Sequence, residues 1–101
     1  MRYRNTNRRG HSFSPATVEA VWQKGVPIPD YDARQWRRDV CGAVMRRDLH
    51  GNTSSQHGWE VDHVLPVAIG GGDELSNLQP LQWQNNRHKG DHTSWSCLVR
   101  G

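Results

Sequence analysis

Asp62 and His63 stand side by side in WEVDHVLPV, and a set of chemistry-bearing residues follows them in order. A triple glycine comes first (Gly70, Gly71, Gly72), then Asn77 in LSNLQPL, then Asn85, Asn86, Arg87, His88 and Lys89. An imidazole with an unperturbed pKa of about 6.5 can take up or release a proton at neutral pH. Carboxylate and amide oxygens suit a hard cation such as Mg²⁺. Taken singly, the Asp-His pair reads as a surface salt link, Asn77 as a turn residue and Asn86 as a solvated helix position. Their occurrence together in one short stretch makes them candidates for proton transfer and cation binding.

The same stretch shows which elements must position these groups. Glu60 to Leu65 alternates polar and apolar after Gly58 and stops at Pro66, the pattern of a short half-buried strand. Neighbours on a strand point to opposite faces, so Asp62 and His63 reach one ligand only from a bulge or a strand end. Val67 to Asp73, with three glycines, is loop. Leu78-Gln79-Pro80-Leu81 is a second extended run whose proline suits an edge. Gln82 to Lys89 lacks proline and glycine and stops at Gly90, as a helix would. Helical spacing sets Gln82, Asn85, Asn86 and Lys89 along one side. The unit reads strand, long loop, strand, helix.

Over residues 59–90 the order Asp-His, Asn-Leu-Gln-Pro-Leu, Asn-Arg-x-Lys resembles the HNH nuclease motif, the ββα-metal or His-Me finger. The resemblance implies that His63 is the general base and Asp62 the first metal ligand. Asn77 matches the central asparagine, which holds the loop and orients the histidine. The third motif position matches Asn86, nine residues after Asn77 (86 − 77), the spacing found in the HNH domain of RNA-guided CRISPR nucleases. His88 is the rival ligand, two residues on and about 200° around the helix. Phosphodiester hydrolysis needs a base for water, an electrophile for the developing charge and help for the leaving oxygen. One acidic ligand is apparent, so the resemblance implies a single Mg²⁺ or Mn²⁺ and products with 5′-phosphate and 3′-hydroxyl ends.

Many HNH proteins carry two CxxC pairs around a structural zinc. The second-pair positions here are Gln82 and Asn85, and Cys41-Gly42-Ala43-Val44 stands where the first pair would begin, with a single cysteine. Tetrahedral structural zinc takes four N or S ligands, so none is expected.

At 101 residues, 34% hydrophobic and with mean hydropathy −0.90, the chain is one small domain with a thin core. The five tryptophans are expected to carry much of the packing. A net charge of +3 and a pI near 9.3 favour an acidic partner. No apolar run approaches the ~20 residues that cross a bilayer, and the charged N-terminus lacks the apolar segment of a secretory signal. Cys41 and Cys97 fall short of a disulfide framework, so reduced thiols and a cytoplasmic location are expected.

Residues 1–12, with Arg2, Arg4, Arg8 and Arg9, read as a basic flexible arm, either phosphate-binding or solubilising. Ser14-Pro15 opens a helix with Val18, Val21 and Trp22 on one face, ending by Gly25. Val26 to Tyr31 is an extended connector. In the segment 32–47, helix and strand remain open, with Trp36 to Val40 and Val44 to Arg47 as the candidate strands. His50 to Gly58 is loop, with His57 a candidate support for the site, and Trp95 and Leu98 could pack back on the core.

The reading is an α+β domain over 13–101, with a ββα-metal centre of two short antiparallel strands and a helix, and an N-terminal helical extension. The expected function is metal-dependent cleavage of DNA, with Arg87, Lys89, Arg37, Arg38, Arg46 and Arg47 binding phosphates without reading sequence. The alternative is a non-catalytic nucleic-acid-binding module, or an accessory to phage packaging or restriction, on the same fold. A homodimer or a larger nuclease complex would supply the surface that a lone small domain lacks.

Overall fold

The computed structural model describes residues 4–101; Arg2 lies outside them. In chain order the elements are α1 (Pro15–Trp22), β1 (Val26–Pro27), β2 (Trp36–Arg38), β3 (Val44–Arg46), β4 (Trp59–His63), β5 (Leu78–Gln82) and α2 (Trp83–Lys89). Ser14 Oγ accepts from Thr17 N at 3.2 Å, and Pro15 sits where no intrahelical N–H is needed, which starts α1 as the sequence indicates. Its buried residues Val21 and Trp22 join Met45, Trp59, Val61 and Leu78 in the core. The rings of Trp22 and Trp59 lie 5.2 Å apart. These two tryptophans are fully buried, whereas Trp36, Trp83 and Trp95 are only half-buried. Among the described residues no helix is long and apolar enough to cross a membrane.

β1, β2 and β3 form an antiparallel sheet in that order, with Arg37 opposite Met45, so the open choice in 32–47 resolves to a hairpin. β4 and β5 form a second antiparallel pair with Val61 opposite Pro80 and His63 opposite Leu78. Proline is tolerated inside β5 because Val61 N points away from the ladder and donates to Asn5 Oδ1 at 2.8 Å. All five residues of β4 are buried, rather than one face of them. Trp59 and Val61 face the core, while Asn86 and Lys89 of α2 bond Glu60 and Asp62 on the polar side.

Two expectations are corrected here. Cys41 and Cys97 are not reduced thiols but a disulfide, with Cα atoms 5.7 Å apart. Asn85 brings the C-terminal segment to it: Asn85 Oδ1 accepts from Leu98 N and Val99 N, and Asn85 Nδ2 donates to Val99 O. The segment is therefore held by the Asn85 side chain and the disulfide, and Leu98 stays 57% exposed instead of packing on the core. Structural disulfides belong to oxidising compartments, which removes the reduced-thiol argument for a cytoplasmic location.

The second correction concerns the arm. Residues 4–12 are folded: Thr6 bridges Ser12, Asn7 N donates to His11 O, and Gly10 N to Asn7 O. Asn5 fastens this loop to β4, and Arg8 N fastens it to Asp73.

Candidate active site

Between β4, the loop after it, α2 and the N-terminal loop lies a cleft of about 680 Å³ whose lining includes Glu60, Asp62, His63 and Asn86. Ideal strand alternation would separate Asp62 from His63, but His63 is the last residue of β4, and both border the cleft.

His63 Nε2 lies 2.8 Å from Asp73 Oδ1. A carboxylate only accepts, so Nε2 carries the proton and neutral His63 is left with Nδ1 as its basic nitrogen. Burial alone would raise the Asp73 pKa. The His63 bond and the Arg8 amide outweigh it and hold the carboxyl below its usual 3.8. The Phe13 ring packs 5.8 Å from the imidazole.

Asp62 Oδ2 accepts from Gln79 Nε2 at 2.9 Å, and Asp62 Oδ1 from Lys89 Nζ at 3.2 Å. Burial pushes the Asp62 carboxyl above 3.8, with Gln79, Lys89 and His63 offsetting part of the rise. Asn86 Nδ2 donates to Glu60 Oε1 at 2.9 Å. That bond fixes the amide and leaves Oδ1 without a donor among the described residues. His88, on the far side of α2, is exposed, whereas Asn86 is 3% exposed.

The donor chemistry accommodates a hard divalent cation. Asp62, Glu60 and Asn86 Oδ1 offer oxygens around one cleft, and a carboxylate oxygen that takes one hydrogen bond keeps a second lone pair. Among the described residues no group of at least three His, Cys, Asp or Glu side chains is arranged to hold a metal. Any such site must therefore draw on the Asn86 amide as well as carboxylates.

Asn77 binds the loop at several points. Its Oδ1 accepts from Leu65 N at 2.8 Å, and its Nδ2 donates to Leu65 O and Gly72 O. Its own carbonyl accepts from Val64 N. The chain comes so close here that a Cβ on Gly71 would lie 1.7 Å from Leu65 O, so only glycine fits. Asn77 thus fixes the turn that leaves His63 at the cleft.

The basic residues divide differently from expectation. Lys89 is 1% exposed and donates to Asp62 and to His63 O, so it cannot reach a flanking phosphate. Arg37 is buried too: its guanidinium donates to Ala33 O, Gln23 O, Gly25 O and Gln23 Oε1. Their charge places both at the surface in a sequence reading, whereas carbonyls and, for Lys89, a carboxylate draw them inward. Arg38 donates to Gly42 O, Arg46 stacks over Trp36 and pairs with Asp48, and Arg47 pairs with Glu19. None of these three borders the cleft, whereas Arg87 does, lying over the Trp83 ring. His57 binds Val44 O and stacks edge-on to Trp36, away from the cleft.

Sequence reading missed Glu60 at the cleft, Asp73 against His63 and, behind them, Asp39, whose carboxylate accepts from Gln82 N and Asn85 Nδ2 at the start of α2. Glu60 had a signal, since it stands two residues before Asp62 on the same strand face. Asp73 had a weaker one at the end of the glycine loop, and Asp39 had none.

A family model described as HNH endonuclease matches residues 49–95. No curated protein and no solved structure matches the chain significantly.

Proposed function

We propose, from the premise that residues 49–95 belong to the HNH endonuclease family, that this protein is a metal-dependent endonuclease hydrolysing DNA to 5′-phosphate and 3′-hydroxyl ends. The observation that carries the reading is the meeting of His63, Asp62 and Asn86 at one cleft behind a loop bound by Asn77. This is the arrangement a ββα-metal centre needs.

His63 takes the proton of the attacking water on Nδ1, the nitrogen left basic by the bond from Nε2 to Asp73. The Asp73 carboxylate, ionised at neutral pH, then lies against the imidazolium and stabilises it. Asp62 and Asn86 are the residues that would hold Mg²⁺ or Mn²⁺, and Glu60 fixes the Asn86 amide. Such a cation supplies charge stabilisation at the phosphate and at the leaving oxygen. Lys89 keeps Asp62 ionised inside the protein, and Asn77 holds the loop while DNA binds. Arg87, at the cleft edge, contacts the backbone.

The experiment is nicking of supercoiled plasmid with Mg²⁺, with Mn²⁺ and with EDTA. Cleavage should need the metal, and His63→Ala should abolish it while leaving DNA affinity near wild type. Undiminished nicking by His63→Ala would remove the mechanism. Metal-dependent DNA binding without nicking would favour the non-catalytic module.

A further inference from the structure

The N-terminal loop touches β4, Asp73 and the end of α2 around the proposed centre. Asn5 Oδ1 accepts from Val61 N on β4 at 2.8 Å and lies 2.9 Å from His50 Nε2. Arg8 N donates to the Asp73 carboxylate, which in turn holds His63. Arg4 reaches the last turn of α2, its two Nη atoms each 3.4 Å from a carbonyl, that of Asn86 or of Arg87. Asn5 has a φ of 60°, in the left-handed region that L residues seldom adopt, with asparagine among the most tolerant. A merely solubilising tail has no need of so specific an anchorage.

Arg4 is exposed and forms no ion pair among the described residues. Its bonds are at the long limit of hydrogen-bond geometry and go to neutral acceptors. A guanidinium carries five N–H donors, so capacity remains for a further acceptor at the cleft that Arg4 lines. The lining carries Glu60, Asp62 and Asp91, and among the described residues its arginines are Arg4 and Arg87. Lys89 is neutralised by Asp62. A polyanion entering this acidic cleft needs cations at its border, and Arg4 stands there beside the last turn of α2.

We infer that the N-terminal loop is a working part of the substrate site and that Arg4 is a positioning residue that binds a DNA backbone phosphate at the cleft. The inference rests on the nuclease reading for its choice of DNA as substrate. Exchanging a long bond to a carbonyl for a bond to a phosphate oxygen makes it charge-assisted, about twice as strong as a neutral one. Asn5 keeps the loop, and Arg4 with it, against β4.

The test is fluorescence anisotropy of a short labelled duplex in EDTA, over a range of salt, with the full chain. Arg4→Gln should weaken binding roughly tenfold at low salt and flatten the log K against log salt slope by about 0.9, one phosphate contact. Its melting temperature should stay near wild type, and Arg4→Lys should restore the slope. Asn5→Ala should produce the same loss, and the double variant should bind no worse than the weaker single one, since both act on one contact. Wild-type affinity and slope in Arg4→Gln would overturn the inference. So would an equal loss in Arg4→Lys and Arg4→Gln with a lowered melting temperature, the signature of a clasp on the end of α2. Binding is read without metal, so the two ideas fail separately. Protein that binds through Arg4 but never nicks plasmid loses the nuclease reading alone. Protein that nicks plasmid with Arg4→Gln unimpaired in binding loses this inference alone.

Discussion

Asp39 is the residue whose removal should do most damage outside the cleft. It is 3% exposed, and its Oδ1 accepts from Cys41 N and Ala43 N, both at 2.9 Å. Its Oδ2 accepts from Gln82 N at 3.0 Å and Asn85 Nδ2 at 3.1 Å. The turn after β2 and the start of α2 are thus joined through one carboxylate. In Asp39→Ala all these donors lose their acceptor inside the protein. A buried donor left unsatisfied costs about 1–3 kcal/mol, so the sum is at least about 4 kcal/mol. The whole stability of a domain this size is only about 5–15 kcal/mol. With a urea m-value of about 1–3 kcal/mol/M, the midpoint should fall by roughly 2 M, or the variant should be unfolded without denaturant. Circular dichroism during a urea titration reads this. Asp48→Ala is the control, because its exposed pair with Arg46 is worth under about 1 kcal/mol. A midpoint for Asp39→Ala as close to wild type as that of Asp48→Ala would refute the argument that this carboxylate joins the two halves.

The disulfide closes a sequence separation of 56 residues, for which the chain-entropy relation gives about 4 kcal/mol; reduction should lower the urea midpoint accordingly, and two titratable thiols in unreduced native protein would contradict the bond. Burial holds the His50 pKa below 6.5, so the unfolded chain takes the proton first as pH falls. Stability should therefore drop as pH falls through 6.5 towards the lower folded value, and His50→Gln should remove that part of the slope in melting experiments. Asn86→Ala should lose most Mg²⁺-dependent nicking while His88→Ala keeps most of it, because Asn86 borders the cleft and His88 faces outward. A dead His88→Ala beside an active Asn86→Ala would shift the helix assignment by half a turn.

The sequence by itself determined what depends on local spacing. Strand, loop, strand and helix follow from the alternation around Asp62, the three glycines, Pro80 and the stop at Gly90. The start of α1 follows from Ser14-Pro15, and the hold of Asn77 on the loop from the motif it completes. Each of these is a constraint between residues close in the chain. Side-chain destinations across the fold are of another kind. Lys89 and Arg37 are long basic side chains that any composition argument places in water. They turn inward because carbonyls and a carboxylate from distant segments surround them, and backbone acceptors leave no trace in a sequence. The pairing of Cys41 with Cys97 required the C-terminal segment to return along Asn85. The docking of the N-terminal loop required Val61 N to be left unpaired by the register opposite Pro80. Those are decisions of tertiary structure, because a buried polar group must find its partner wherever the folded chain supplies one.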